Sequence, residues 1–152
     1  MGILCIIPCG KKKVWDKFPN EGPTIAREAY IGIFHNLCEQ YAMTFFDEWV
    51  ILSAKHGLLL PDDIIDENYD VTFNMKSDEI ISIEQLKKQV IDKNIPCKQV
   101  VVLTGKKYKP IIEACFNEAE NIEFPLHGSK GIGHMQQCLK KAIDQNVAIH
   151  RM

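Results

Sequence analysis

The chain has 152 residues, of which 46% are hydrophobic and 25% charged, and its formal net charge is −2. This length allows one domain with a substantial core. The near-neutral charge excludes a global basic field, so any contact with phosphate must come from a local patch. No apolar run is long enough to span a membrane, and we expect no secretion leader, because the first residues lack a basic n-region and a cleavage site. These features predict a cytoplasmic protein without membrane contact.

The six cysteines are scattered along the chain and form no Cys-x-x-Cys pair. Such spacing in a chain without a leader indicates reduced thiols rather than disulfides or a zinc site. We therefore expect no metal ion and no cofactor. Cys9 differs from the others because three lysines follow it closely, and a thiol beside lysines is expected to have a lowered pKa.

Four apolar runs of strand length alternate with helical patterns, at residues 3–7, 49–52, 100–103 and 121–124. Continuous apolar runs are typical of strands covered on both faces of a parallel sheet. Helices are predicted from Ile25 with Thr24 as its cap, from the capping box Ser82-x-x-Gln85, from Pro110 and from Ile132. The alternation predicts a single α/β domain over residues 1–152. We expect a three-layer α/β/α sandwich with a mainly parallel sheet of about four strands.

The second apolar run ends in Ser53, Lys55, His56 and Gly57. Gly57 permits a sharp turn with positive φ. Ligands of open α/β sheets bind at the carboxyl ends of the strands, so Lys55 and His56 stand where such a protein does its chemistry. A solvated turn explains a single loop of this kind equally well. Three further loops of similar character favour a functional site.

The first run ends at Pro8 and continues into Cys9, Gly10 and lysines 11–13. Gly10 permits close approach of the backbone to a ligand, and the lysines form a local cationic cluster. The functional interpretation is an anion or phosphate site, and the alternative is a solvated basic run. Trp15, further along, is a candidate for stacking on a base.

Two other segments supply candidates between the strands. Arg27 and Tyr30 lie three residues apart in the first turns of the helix predicted from Ile25, where Arg27 can clamp a carboxylate or phosphate or form a surface ion pair. Residues 61–70 have no helical or strand period and are predicted to form a long ordered loop, a feature that is usually functional. Tyr69 and Asp70 stand at its end.

The last two strand ends carry glycines. Thr104 and Gly105 follow the third run, and Gly128, Gly131 and Gly133 precede the last helix. Glycines before a helix can present backbone N–H groups to an anion. Right-handed crossovers place all four loops on one edge of the sheet, which favours an enzyme or a ligand-binding protein.

Taken in order, these loops resemble a family of small bacterial proteins related to the YaaA peroxide-stress proteins. The matching pieces are residues 8–13, 26–32, 52–59, 69–70, 103–105 and 125–133. The opening Pro8-Cys9 loop also resembles that of archaeosine-synthase domains, which modify a deazaguanine base in tRNA. Both resemblances imply the uracil-DNA-glycosylase type of α/β fold.

The loops and the resemblance together predict an enzyme that cleaves or exchanges an N-glycosidic bond of a nucleobase or nucleotide, in nucleic-acid modification, repair or phage defence. A nucleic acid or nucleotide, modified bases included, is the expected partner. Asp70 is the candidate carboxylate and His56 the donor to the departing base, with Lys55 or Lys13 as alternative amine nucleophiles. The expected substrate-binding residues are Cys9, Gly10, Lys11, Arg27, Tyr30, Ser53, Tyr69, Thr104, Gly105, Gly128, Gly131 and Gly133.

Two other functions fit the same residues. A non-catalytic nucleic-acid or nucleotide-binding protein of the stress response or of phage defence would use the lysines and glycines without needing Asp70. A redox-responsive protein would be centred on Cys9. The substrate, the protein partners and the oligomeric state stay open at this point.

Overall fold

The chain forms a mixed α/β structure in a computed structural model that describes residues 3–105 and 108–151. The strands are β1 (Leu4–Pro8), β2 (Thr24–Ile25), β3 (Glu48–Ser53), β4 (Gly57–Leu59), β5 (Ile64–Ile65), β6 (Gln99–Val102) and β7 (Asn121–Glu123). The helices are α1 (Val14–Lys17), α2 (Ala26–Ala29), α3 (Ile33–Phe45), α4 (Ile83–Asp92), α5 (Lys109–Cys115) and α6 (Ile132–Gln145).

The main sheet has five strands in the order β4-β3-β1-β6-β7. All neighbouring pairs are parallel except β3–β4, which is antiparallel. This sheet has one strand more than the sequence predicted, because Gly57 adopts a φ of 76° and turns the chain back along β3. A second, two-stranded sheet pairs β2 with β5, and β5 lies inside the segment of residues 61–70 that was predicted as a loop.

The three central strands of the main sheet, β1, β3 and β6, are buried on both faces, which explains their continuous apolar runs. Cys5 and Ile7 of β1 pack in one core with residues of α3 and α6, such as Tyr41 and Leu139. The alternate residues Leu4 and Ile6 pack in a second core, with Leu86 of α4 and Ile112 of α5 as partners. The predicted runs at residues 3–7, 49–52 and 100–103 therefore supply the interior of the protein.

The prediction of one continuous helix from Ile25 was wrong. Ile25 belongs to β2, α2 ends at Ala29, and Tyr30 forms an isolated β-bridge with Lys13 before α3 begins. Ile33 is 71% exposed and does not face the core. The Thr24 hydroxyl donates to the Gly22 carbonyl at 3.0 Å instead of capping a helix. Tertiary pairing with the first loop has overridden the helical period.

The predictions for the starts of α4 and α5 were confirmed. Ser82 and Gln85 form the expected capping box, since the Ser82 Oγ accepts from the Gln85 N–H at 3.1 Å and the Gln85 side chain accepts from the Ser82 N–H at 3.0 Å. Pro110 lies in the first turn of α5. All six cysteines are free thiols. Over the part of the chain that is described, every helix is too short or too polar to cross a membrane.

Candidate functional site

The carboxyl ends of β1 and β3 converge on the side chain of Tyr69, which is only 8% exposed. Its hydroxyl forms hydrogen bonds with the Tyr30 hydroxyl and, at 2.8 Å, with the Ser53 Oγ. Ser53 Oγ also accepts from the His56 backbone N–H at 3.2 Å. We call the residues that gather here the Tyr69 cluster: Cys9, Lys13, Tyr30, Ser53, Lys55, His56 and Tyr69.

Two ammonium groups lie near the Tyr69 ring. The Lys13 Nζ is 4.5 Å from the ring centroid and the Lys55 Nζ is 5.9 Å from it. Lys13 is 5% exposed, whereas Lys55 is partly open to solvent and lies 3.8 Å from Glu79. A cation over an aromatic face is attracted by the ring quadrupole. The cluster therefore holds concentrated positive charge beside three hydroxyl groups.

The first loop is fixed in place by backbone contacts. The Cys9 N–H donates to the Leu52 carbonyl at 3.1 Å, which continues the pairing of β1 with β3. The Lys13 N–H donates to the Asp16 carboxylate at 2.8 Å. Ile31 donates to the Lys12 carbonyl at 3.1 Å, beside the Lys13–Tyr30 bridge. These bonds turn the Lys13 side chain into the protein, while Lys11 and Lys12 stay exposed.

The His56 imidazole stands edge-on to the Tyr69 ring, with 4.8 Å between centroids and an angle of 87°. Its Nε2 is buried and has no hydrogen-bond partner among the described residues. Burial lowers the pKa of His56, and the charges of Lys55 and Lys93 lower it further against the opposing effect of Asp66. The imidazole is therefore neutral at pH 7, with one polar atom left unsatisfied.

The acidic groups of the cluster are held in their protonated forms. Burial raises the pKa of the Cys9 thiol, and the charge of Lys13 only partly opposes this. The expectation of a lowered Cys9 pKa was therefore wrong, because loss of hydration outweighs the nearby lysine. Burial also raises the pKa of Tyr30 and of Tyr69.

The Lys55-His56 turn is held by a residue that sequence reasoning missed. The Gln89 side chain of α4 donates to the His56 carbonyl at 2.9 Å and accepts from the Leu58 N–H at 2.7 Å. A Cβ on Gly57 would lie 2.2 Å from the Gln89 Oε1. Nothing in the sequence marks Gln89, which reads as one polar residue on an amphipathic helix.

His35 supports the other side of the site and was also missed. It is 1% exposed and its Nδ1 makes a hydrogen bond of 2.9 Å with the Pro8 carbonyl. Its Nε2 has no hydrogen bond and lies 3.7 Å from the Glu39 carboxylate. Gly10 packs beside it, since a Cβ there would lie 3.5 Å from the His35 Cβ. Helix α3 thus packs against the carboxyl end of β1 through His35.

Several predicted site residues form no hydrogen bond or ion pair with the Tyr69 cluster in the part of the chain that the structure describes. Asp70 is exposed, with no hydrogen bond or ion pair among the described residues. Arg27 pairs with Asp62 at 3.4 Å on the surface, which is the alternative that the sequence left open. Thr104 is buried and donates to the Gly105 carbonyl at 3.1 Å.

A Cβ at any of the three glycines before α6 would have no heavy atom of the described residues within 4 Å. Gly128, Gly131 and Gly133 are exposed, and Gly131 caps α6 with a φ of 149°. Trp15 is buried and its indole N–H donates to the Glu21 carbonyl at 2.8 Å, so it does not present a free stacking face. Over the described residues, no group of three or more His, Cys, Asp or Glu side chains is arranged to hold a metal ion.

Residues 4–141 match a family of unknown function, DUF6884. The chain belongs to this family. It is 50% identical over 143 residues to the uncharacterised protein YfjM of Bacillus subtilis (strain 168), and the match covers 93% of the chain and 95% of that relative. No solved structure matches the chain. The DUF6884 match begins in β1 and ends in α6, so it contains the whole Tyr69 cluster.

The chemistry available to this DUF6884 site follows from its groups. Lys13 and Lys55 can bind or stabilise negative charge, and the neutral His56 can donate or accept one hydrogen bond through Nε2. The hydroxyls of Tyr30, Tyr69 and Ser53 add further polar contacts. This set suits a ligand that is polar and at least partly anionic.

Proposed function

We propose that the protein is an enzyme that cleaves the N-glycosidic bond of a nucleobase or nucleotide, free or within nucleic acid. One observation carries the proposal: the unpartnered, neutral His56 imidazole and the Lys13 ammonium both lie against the Tyr69 ring at the carboxyl edge of the sheet. A hydrogen-bond donor and a cation at one point are what a departing base needs as negative charge develops on it.

The proposed hydrolysis consumes one water molecule. The bond between the sugar carbon and the base nitrogen breaks, and its electron pair leaves with the base. The water oxygen bonds to the sugar carbon, and the base carries away one proton. His56 donates the hydrogen bond to the base, and Lys13 stabilises its negative charge. The exposed Asp70 carboxylate, next to Tyr69 in the chain, takes the proton of the water and releases it to solvent, and the departed base anion takes up one proton from solvent.

The arrangement of helices about the main sheet also supports this proposal. Alternate strand residues belong to two separate cores, with α3 and α6 contributing to one and α4 and α5 to the other. We propose that these layers form a three-layer α/β/α sandwich of the uracil-DNA-glycosylase type. The resemblance of the loops to YaaA-related proteins and to archaeosine-synthase domains supports the same assignment, and with it a role in nucleic-acid modification, repair or phage defence in the cytoplasm.

The second candidate is a non-catalytic nucleic-acid or nucleotide-binding protein. The position of Asp70 favours it, because this carboxylate makes no contact with the Tyr69 cluster among the described residues. Exposed Lys11 and Lys12 would contact phosphates in either case.

The test is release of free base. DNA, tRNA and free nucleotides, with deazaguanine and other modified bases included, are incubated with the protein and the products are identified by mass spectrometry. We expect a free base from one substrate class, and its loss in Asp70→Asn but not in Asp62→Asn, which changes an exposed carboxylate of the same loop. Binding of these substrates without release of any base would favour the second candidate.

A further inference from the structure

The Lys13 ammonium is buried with most of its donors unused. An ammonium has three N–H donors, and the structure gives this one a single acceptor, the Lys11 carbonyl at 3.2 Å. Lys13 is 5% exposed, so water cannot freely satisfy the other two.

No carboxylate compensates this charge within the described residues. The ion pairs there involve Arg27, His35, Lys55 and Lys93, and none involves Lys13. Asp16 is near in sequence, but its carboxylate accepts from the Lys13 backbone N–H. The Tyr69 ring supplies only its electron-rich face. A buried cation is retained at a cost in stability unless an anion or strong acceptors pair with it.

We propose that the Lys13 ammonium, while one of its two unused donors faces the departing base, binds a phosphate of the ligand with the other, so that the protein takes phosphorylated nucleotides or nucleic acid in preference to nucleosides and free bases. This inference rests on the proposed function for the nucleotide part and adds the substrate class. The hydroxyls of Ser53 and Tyr69 lie in the same cluster and can donate to phosphate oxygens. Lys11 and Lys12, exposed on the same loop, attract a phosphate toward it.

The first test needs no substrate. Lys13→Met keeps the length and the apolar stem of the side chain and removes the charge. We expect the melting temperature of the ligand-free protein to rise by about 3 °C, because an uncompensated buried cation is gone. Lys12→Met, in the same loop but exposed, should change it little. A fall in the Lys13→Met melting temperature would show that the ammonium is structural and would overturn the proposal.

The second test uses inorganic phosphate, dGMP, deoxyguanosine and a single-stranded DNA oligonucleotide as probes. Phosphate and dGMP should stabilise the wild-type protein, and Lys13→Met should bind them at least about tenfold more weakly. Deoxyguanosine should stabilise it far less than dGMP does. A stronger effect of the oligonucleotide than of dGMP identifies the nucleic-acid backbone as the source of the phosphate, and the reverse identifies a free nucleotide.

The proposal is overturned if deoxyguanosine matches dGMP, if Lys13→Met binds phosphate normally, or if none of the phosphate probes stabilises the wild-type protein. Base release is a separate measurement. Lys13-dependent phosphate binding without base release would keep this inference and remove the enzymatic function.

Discussion

Two lysines buried to different degrees show how this protein treats a cation. The Lys93 ammonium, at the end of α4, pairs with the Asp63 carboxylate and donates to the Leu58 carbonyl, at 2.8 and 2.7 Å respectively. The more deeply buried Lys13 has one carbonyl and an aromatic face. Lys93 lines a cavity of about 420 Å³ that also includes the amino ends of β1 and β3, whereas Lys13 lies at their carboxyl ends. The chain supplies an acid to Lys93, where the lysine holds the fold together, and to the partly exposed Lys55, but, among the described residues, none to the buried Lys13.

The largest expected effect is on the rate of base release, which should depend on the carboxyl edge of the sheet and not on the amino edge. His56→Ala should reduce base release at least about 100-fold, because it removes the donor to the departing base. Asp47→Asn, an exposed change at the cavity of the opposite edge, should leave the rate unchanged. Both variants should keep the wild-type melting temperature, which is measured alongside the rate. Normal turnover by His56→Ala would remove the Tyr69 cluster from the mechanism.

The next effect concerns the turn that connects the two lysine environments. Gly57→Ala should lower the free energy of unfolding by about 2–3 kcal/mol, because its φ of 76° is strained for alanine and the new Cβ meets the Gln89 Oε1. Gly128→Ala is the matched control, since no heavy atom lies within 4 Å of a Cβ at that position. Urea unfolding measures both. Equal, small losses of unfolding free energy in both variants would show that the turn accommodates a Cβ at position 57 without disturbing Gln89.

A smaller effect tests the structural lysine directly. Lys93→Met should lower the free energy of unfolding by about 1 kcal/mol, since it leaves Asp63 without its cation and the Leu58 carbonyl without a donor. Lys88→Met, an exposed change on the same helix, should have almost no effect. The sign should be opposite to that of Lys13→Met. If both lysines proved stabilising, the contrast drawn between them would be lost.

The smallest expected effect is a shift in the pKa of His56. The pKa of His56 is lowered in the folded protein, so its contribution to stability is present above about pH 6.5 and is lost as the pH falls through the folded-state pKa. Gln89→Ala should raise this pKa toward its ordinary value by releasing the turn into solvent. NMR titration of His56 measures the shift, with Gln85→Ala as control because that glutamine only caps α4. An unchanged pKa in Gln89→Ala would mean that other contacts position the imidazole.

The sequence predicts those parts of the structure that depend on local pattern. The first three apolar runs became the buried strands because each is covered on both faces, whereas the fourth forms the less buried edge strand β7. The Ser82–Gln85 box capped α4 because its four residues suffice to form it. Tyr30, Ser53, Lys55, His56 and Tyr69 were expected at one site and do meet there. Topology was enough to place them.

The features that were missed depend on distant partners. The break between α2 and α3 follows from the pairing of Tyr30 with Lys13. Strand β4 follows from a turn that Gln89 stabilises from another helix. The burial of Lys13 results from its own loop folding back through Asp16 and Ile31, so three adjacent lysines have different environments. Composition cannot distinguish them.

The hydroxyl groups of Tyr30, Tyr69 and Ser53 form a row in which each can donate to its neighbour or accept from it. Reversing every O–H in the row exchanges donors for acceptors while all heavy atoms stay in place. The row therefore has two proton arrangements of nearly identical shape. In one arrangement the Ser53 O–H is left free to donate and in the other the Tyr30 O–H is, while Tyr69 donates to one neighbour and accepts from the other in both. A group that binds at either end of the row can therefore set the direction of all three hydroxyls without moving a heavy atom.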